Sequence, residues 1–184
     1  MKSILVVVDM QNGFVNQTTE HILEPIQKLI RFAESTGTEV AFTRFINHSN
    51  SGWVKWIHWT RFMESPEIDL HPTLLPLANH VFDKSAYGAF TAEFAKYIAD
   101  RGIERMFFCG IATDGCVLKS AVDAFERDIE PIVIQDACAS HAGVEVHKAG
   151  LLLASRFLGK RQLIRMNDLL AAGFEALSYQ SPEI

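Results

Sequence analysis

Short apolar runs recur along the chain, and the segments between them repeat their apolar residues at helical spacing. The runs are rich in β-branched and aromatic residues, which is typical of strands buried on both faces. The predicted strands lie at residues 4–8, 40–46, 80–82, 106–109, 131–134 and 162–165.

Helical segments with terminal signals separate these strands. Prolines, glycines and capping side chains mark the predicted helix ends at Pro25, Gly37, Thr91, Gly102 and Asn167, and two further helices are predicted at residues 116–127 and 144–157. Strands and helices that alternate in this way predict an α/β fold, a three-layer α/β/α sandwich around a six-stranded, mostly parallel, doubly wound sheet. Nothing in the chain resembles a linker or a repeat, so we expect a single domain over residues 1–184.

One segment, residues 47–76, departs from the alternation. It contains few strand-forming residues and carries Trp53, Trp56 and Trp59. Their three-residue spacing predicts one helical stripe, which is more typical of a core or an oligomer interface than of a ligand platform. We call residues 47–76 the excursion and expect it to cover a site or to join copies of the chain in a dimer or tetramer.

Composition argues against several classes of protein. The Lys and Arg residues form no basic stripe and the net charge is −5, so nucleic acid is not an expected partner. The first apolar stretch, residues 4–8, is too short for a membrane span or a signal peptide. The three cysteines form no C-x-x-C pair, so we expect free thiols, a cytoplasmic location and no membrane association.

Polar residues with useful chemistry follow three of the predicted strands. Asp9 comes directly after the first strand, Lys84 follows the third, and Cys116 follows the fourth after a short turn. Ligands of open parallel sheets bind at the carboxyl ends of the strands, where these residues should meet. A carboxylate, an ammonium and a thiol together predict nucleophilic acyl chemistry.

Cys116 stands at the start of a predicted helix. The positive end of the helix dipole and the unpaired backbone N–H groups there favour the thiolate. The same N–H groups, with that of Ala112 in the preceding turn, would bind the oxyanion formed when a carbonyl is attacked.

Three segments carry a specific resemblance. VVVDMQNGFV, the lysine in DKSAYGAF and GIATDGCVLKSAVDAF occur in that order, and DACAS is followed by His147 in a predicted helix. Together they resemble the signature segments of the isochorismatase-like cysteine hydrolases, in the amidase branch that includes nicotinamidases and N-carbamoylsarcosine amidases. The likeness covers residues 4–153, most of the chain.

The resemblance implies a catalytic triad of Asp9, Lys84 and Cys116, and an oxyanion hole made by the backbone N–H groups of Ala112 and Cys116. It also implies a cis peptide bond before Ala112. The implied reaction is hydrolysis of a C–N bond in a small amide, ureido or carbamoyl compound through a thioester on Cys116, with no cofactor.

Further side chains are candidates for the substrate pocket. Gln11 and Phe14 are expected to face the pocket because they closely follow Asp9. A partly aromatic pocket suited to a small planar group is suggested by Phe14, Phe45, Trp59 and Tyr87. Nicotinamidases carry an Asp-x-His pair after the second strand, whereas this chain reads TRFINHSN, so we expect a metal-free site. Whether His48, His58 or His71 binds a metal is left open.

Other functions remain alternatives. An isochorismatase-type vinyl-ether hydrolase would share the fold, but Cys116 favours amide hydrolysis. A thiol-redox protein would pair Cys116 with Cys138, which is placed in a loop after the fifth strand. A nucleotide-binding module would need a phosphate-cradling glycine pattern after the first strand, and the sequence there, DMQNG, lacks one. A non-catalytic relative that serves as an interaction scaffold is another alternative, but it would not need the reactive side chains of Asp9, Lys84 and Cys116.

Overall fold

The computed structural model describes residues 1–175, so the end of the expected domain lies outside the described residues. Its sheet has six strands: β1 (Ser3–Val8), β2 (Glu39–Phe45), β3 (Val81–Lys84), β4 (Arg105–Ile111), β5 (Glu130–Ala139) and β6 (Leu163–Ile164). Their spatial order is β3-β2-β1-β4-β5-β6, and each neighbouring pair is parallel. The chain therefore winds outward from β1 in both directions.

Six α-helices flank this sheet in the described part of the chain. They are α1 (Leu23–Ser35), α2 (Gly52–Ile57), α3 (Ala92–Arg101), α4 (Leu118–Phe125), α5 (Val144–Leu158) and α6 (Met166–Ala172). Apolar residues of α1 and α6 pack on one face of the sheet, and those of α3, α4 and α5 pack on the other. The predicted three-layer α/β/α fold is confirmed.

The strand β1 shows why the sheet is buried on both faces. Leu5 and Val7 pack into the core on the α1 side, while Ile4, Val6 and Val8 pack into the core on the α3 side. All five side chains are inaccessible to solvent. A continuous β-branched run is what a central parallel strand requires, because side chains of both orientations must be apolar.

Several predicted element ends differ from the observed ones. Thr91 caps α3 as expected and its hydroxyl accepts the Phe94 N–H at 3.2 Å. The last helix begins at Met166 with Arg165 as its N-cap, so the predicted cap at Asn167 is wrong. The strand β5 runs on to Ala139, and Cys138 therefore lies in a strand and not in a loop.

The excursion does not form the predicted tryptophan stripe. The helix α2 ends at Ile57 because His58 takes a left-handed conformation, and Trp59 therefore lies beyond it. Trp53 and Trp59 pack against the core, whereas Trp56 is 83% exposed. Two of the tryptophans are packed inward and one is exposed, so the three do not share one face.

No helix within residues 1–175 combines the length and the apolar character needed to cross a membrane.

Candidate active site

Two charged side chains from different strands meet at the carboxyl edge of the sheet. Asp9 follows β1, and Lys84 is the last residue of β3, two strands away. The Nζ atom of Lys84 lies 2.7 Å from Oδ2 of Asp9, and both side chains are at most 1% exposed. The reach of the lysine side chain spans the intervening strand β2, so a buried ion pair forms.

Asp9 is held by the neighbouring strand. Its Oδ1 accepts a hydrogen bond from the Thr43 hydroxyl at 2.7 Å, and its backbone N–H approaches the Thr43 carbonyl and hydroxyl oxygens at 3.2 Å each. Its φ of 47° lies in the left-handed region, which turns the chain sharply out of β1. The carboxylate therefore has one oxygen committed to Thr43 and the other to Lys84.

Lys84 is fixed by backbone acceptors as well as by Asp9. Its Nζ donates to the carbonyl oxygens of Ala86 at 2.9 Å and Tyr87 at 3.2 Å. Burial is the largest single effect and opposes its charge, but Asp9 and Cys116 together outweigh burial, so the pKa of Lys84 is raised. The side chain stays an ammonium at neutral pH.

Cys116 lies in the turn that follows β4. Residues Thr113–Val117 form a π-helical turn that runs into α4, so the nucleophile candidate lies within this turn, two residues before the first residue of the α-helix. The Ile111–Ala112 peptide bond is cis, as the resemblance implies. The Ala112 carbonyl accepts the N–H groups of Gly115 at 3.0 Å and Val117 at 3.1 Å, which closes the turn tightly.

Cys116 is 9% exposed, and its thiol interacts with both members of the ion pair. Burial raises the pKa of this thiol, the charge of Asp9 raises it further, and Lys84 only partly opposes the two. Burial and Asp9 therefore outweigh the helix-end effect expected from the sequence, and the resting side chain is a thiol.

Helix α5 braces this turn from outside. The Thr113 hydroxyl and Nδ1 of His147 are hydrogen-bonded at 2.7 Å. At Gly150 the helix approaches so closely that an added Cβ would lie 2.7 Å from the Asp114 nitrogen and 2.8 Å from its Cα. The turn that carries Cys116 is thus held by the hydrogen bond between Thr113 and His147 and by close packing against α5, which Gly150 permits because it has no side chain.

A cavity of about 310 Å³ opens above the thiol. Four of the five predicted pocket residues line it, namely Phe14, Phe45, Trp59 and Tyr87, as do Ala112 and Cys116. The remaining lining residues were not predicted for the pocket: Trp53, Ile57, Asp114, Gly115 and His141. Asp114 and Gly115 are direct neighbours of the nucleophile in sequence, which was a usable signal, but nothing local pointed to Ile57 or His141.

Gln11 lies elsewhere, contrary to its predicted place in the pocket. It is inaccessible to solvent, and its side chain bonds the backbone on both sides. Its Oε1 accepts the Phe45 N–H at 2.7 Å, while its Nε2 donates to the carbonyls of Phe45 at 2.8 Å and Ile68 at 2.9 Å. Gln11 therefore ties the end of β2 to the excursion.

The candidate metal-binding histidines lie outside the cavity lining. His48 and His58 are exposed in the excursion, and Nδ1 of His71 contacts the Thr73 hydroxyl at 2.9 Å. Within residues 1–175, no three or more His, Cys, Asp or Glu side chains are grouped so that they could hold a metal ion.

The remaining cysteines are buried in the sheet. The Cys138 thiol lies 3.8 Å from the Phe108 carbonyl oxygen, and the Cys109 thiol lies 3.8 Å from that of Val6. All three cysteines are free. Burial is the main reason that the pKa of Cys138 is raised to about 12, so this side chain is a poor resolving thiol.

The fold and the cysteine site define a known class. A family model described as the isochorismatase domain matches residues 3–160, and the chain belongs to this family. It is 26% identical over 194 residues to the ureidoacrylate amidohydrolase RutB of Acinetobacter baylyi, a match that covers 86% of this chain and 79% of the relative.

Solved structures share this fold. An isochorismatase-like hydrolase from Alkaliphilus metalliredigens superposes with a TM-score of 0.81 at 22% identity, covering 94% of this chain and 99% of the other. A nicotinamidase/pyrazinamidase of Acinetobacter baumanii superposes with a TM-score of 0.76 at 26% identity, covering 91% and 98%.

Proposed function

We propose that the chain is a cysteine hydrolase that cleaves the C–N bond of a small amide, ureido or carbamoyl compound, with Cys116 as nucleophile and Asp9 and Lys84 as its catalytic partners. One observation supports this above all others. A buried Asp–Lys pair acts on a thiol that lines a cavity large enough for a small molecule. The relatives named above include an amidohydrolase, which favours amide hydrolysis over vinyl-ether cleavage.

The charge balance of the site suggests the first step. Cys116 rests as a thiol, so attack requires that its proton leave. Asp9 accepts this proton, and the ion pair of Asp9 and Lys84 is exchanged for one between the thiolate and Lys84. The net charge of the three groups does not change, which suits side chains that are buried.

The thiolate then attacks the carbonyl carbon. The backbone N–H groups of Ala112 and Cys116 stabilise the oxyanion, and Asp9 returns the proton to the leaving nitrogen. The C–N bond breaks, ammonia or an amine departs and a thioester remains on Cys116. Water, deprotonated by Asp9, hydrolyses the thioester to a carboxylic acid and restores the thiol, so the cycle consumes one water and needs no redox cofactor or metal.

Ammonia release from a panel of primary amides and ureido acids tests this function. Wild type should release ammonia from at least one compound, and Cys116→Ala should reduce turnover by about three orders of magnitude or more. Mass spectrometry of acid-quenched wild type should show a covalent acyl adduct that is absent from Cys116→Ala. Full turnover by Cys116→Ala would refute the proposal.

Cys138→Ala serves as the matched control. It removes another buried thiol that plays no part in the proposed chemistry, so ammonia release should persist. It also tests the thiol-redox alternative, because a disulfide that cycles between Cys116 and Cys138 under peroxide would depend on both cysteines.

We also propose that the chain forms a homo-oligomer and acts in the cytoplasm. Large apolar side chains are exposed on α2 and α5, with Trp56 at 83% and Leu152 at 70%. Such side chains are commonly covered by a partner. Light scattering of wild type and Leu152→Glu tests self-association, which the substitution should weaken.

A further inference from the structure

Asp114 is a carboxylate without an assigned role in the proposed mechanism. It lies in the turn that carries Cys116, two residues before the nucleophile, and lines the cavity. Its Oδ1 atom is buried and has no hydrogen-bond partner within residues 1–175. No donor of the protein therefore offsets the negative charge on this oxygen, and a positively charged ligand in the cavity would be attracted to the carboxylate.

Three cations around this cavity are paired with other carboxylates. Lys84 is paired with Asp9, Lys119 forms an ion pair with Asp123, and Arg61 lies 2.6 Å from Glu67. The described residues that line the cavity include no Lys or Arg.

Two histidines feel the charge of Asp114 but do not neutralise it. Burial is the main cause that lowers the pKa of His141, and it does the same for His147, so both are neutral at pH 7.5. The carboxylate of Asp114 therefore adds net negative charge beside the nucleophile.

This negative charge conflicts with the reaction unless something offsets it. Attack on a carbonyl builds negative charge on the sulfur and then on the oxyanion, and a nearby carboxylate raises the energy of both. Lys84 and the backbone N–H groups of the turn offset the charge on the sulfur and the oxyanion, but no lining side chain offsets the charge of Asp114. The substrate is the remaining source of a positive charge beside this carboxylate. An anionic substrate would face the same repulsion before any chemistry.

Aromatic rings form the rest of the wall. Trp53 lies 4.3 Å from Tyr87 and 5.8 Å from Trp59 between ring centroids, and Phe14 is stacked on Trp59 at 6.4 Å. The Trp53 indole N–H donates to the Ser85 carbonyl at 3.2 Å, which fixes the ring. Several aromatic faces around one space attract substituted ammonium groups through their negative π-faces.

From this arrangement we propose that the substrate of the hydrolase carries a fixed positive charge on its acyl group, held between the Asp114 carboxylate and the rings of Trp53, Trp59 and Tyr87. The inference rests on the proposed function and narrows it to small cationic amides, such as those of ammonium-substituted short-chain acids. The positive group would lie between these three rings and Asp114, while the amide carbon would lie next to the Cys116 thiol.

Three primary amides of similar size test the charge preference. They are trimethylammonioacetamide, its uncharged carbon isostere 3,3-dimethylbutanamide, and the anion succinamate. Binding is measured by calorimetry at pH 7.5 on Cys116→Ala, which cannot turn the ligands over. Ammonia release by wild type is measured separately, so loss of hydrolysis and loss of charge preference are distinguishable.

We expect the cation to bind at least about tenfold more tightly than its isostere, with the anion weakest. Adding Asp114→Asn should reduce the ratio of cation to isostere by about tenfold, whereas Asp100→Asn, which removes an exposed acid on α3 paired with Lys96, should leave it unchanged. If Asp114→Asn does not fold, Trp53→Leu gives a second test, because it should weaken the cation more than the isostere.

Equal binding of cation and isostere, or a preference that survives in Asp114→Asn, would overturn the inference. So would tightest binding of succinamate. A cation preference without ammonia release from any amide would support the charged pocket and refute the hydrolase.

Discussion

Lys84 and Asp9 are joined by a 2.7 Å ion pair whose two side chains are at most 1% exposed, although they extend from strands that are not neighbours in the sheet. A buried pair of this kind matters for stability, because either charge alone would be buried without compensation. The Cys116 thiol interacts with both members of this pair.

The first prediction concerns the stability of this pair. Lys84→Met and Asp9→Asn should each lower the free energy of unfolding by roughly 3–5 kcal/mol. The first substitution leaves the Asp9 charge buried without a partner, and the second leaves the Lys84 charge so. The double substitution should cost less than the sum of the two. Urea denaturation of the three variants measures these values.

An exposed ion pair provides the matched control. Lys96 Nζ lies 2.6 Å from Asp100 Oδ2 on the surface of α3, and Lys96→Met should change the free energy of unfolding by less than about 1 kcal/mol. Additive costs for Asp9→Asn and Lys84→Met would contradict the reading of Asp9 and Lys84 as one coupled unit.

The second prediction separates thiol acidity from turnover. The charge of Asp9 raises the pKa of Cys116, so Asp9→Asn should make the thiol more acidic and easier to alkylate with iodoacetamide at neutral pH. The same substitution removes the proposed general base, so ammonia release should fall sharply. Rates of alkylation and turnover are measured on the same preparations.

Slower alkylation in Asp9→Asn than in wild type would mean that Asp9 assists the thiol at rest and not only during attack. The control is Asp83→Asn, which removes an exposed carboxylate next to Lys84 in sequence that is paired with Arg44. It should alter neither rate.

The common location of the three candidate side chains is predictable from the sequence, because the carboxyl ends of parallel strands lie at the same edge of the sheet. The protonation states of these side chains are not predictable from the sequence. The position of Cys116 near a helix start suggested a thiolate, but burial by residues distant in sequence raises the pKa of the thiol. The local sequence predicts where a helix starts. It does not predict how deeply Cys116 is buried, because the burying residues are distant in the sequence.

Side-chain direction was the other gap. The position of Gln11 just after Asp9 predicts a place in the pocket, yet its side-chain amide is hydrogen-bonded to the backbone N–H and carbonyl groups of Phe45. The tryptophan spacing suggested one helical face, but His58 ends α2 before Trp59 is reached. Both errors arise where the backbone leaves regular structure, so residue periodicity no longer determines orientation.

The third prediction tests Gln11 as a clamp. Gln11→Ala leaves the Phe45 N–H and two carbonyl groups without their partner, and each unpaired buried group costs about 1–3 kcal/mol. The substitution should therefore lower the melting temperature strongly. Limited proteolysis should show earlier cleavage in the excursion, because its tie to β2 is lost.

Gln27→Ala is a matched control for this prediction. Its amide donates to the Thr73 carbonyl at 3.0 Å at an exposed position, so its loss should have little effect on stability. A Gln11→Ala protein with wild-type stability but weaker substrate binding would instead restore the pocket role expected from the sequence.

The last prediction concerns pH. Burial first, and the nearby charge of His21 second, lower the pKa of His147 from its usual value of 6.5, while Asp114 opposes them. The unfolded chain binds a proton near pH 6.5, whereas the folded chain resists it, so the unfolded state holds more protons as pH falls below this value. This contribution to stability is complete above pH 6.5 and is lost progressively at lower pH.

His147→Gln should therefore flatten the decline of the unfolding free energy between about pH 6.5 and 5, which denaturation series at several pH values measure. The exposed His48→Gln is the control and should leave the slope unchanged. Because His147 also bonds Thr113 in the turn that carries Cys116, His147→Gln should lower kcat more than it alters KM. An unchanged slope together with an unchanged kcat would show that α5 braces the turn through Gly150 packing alone.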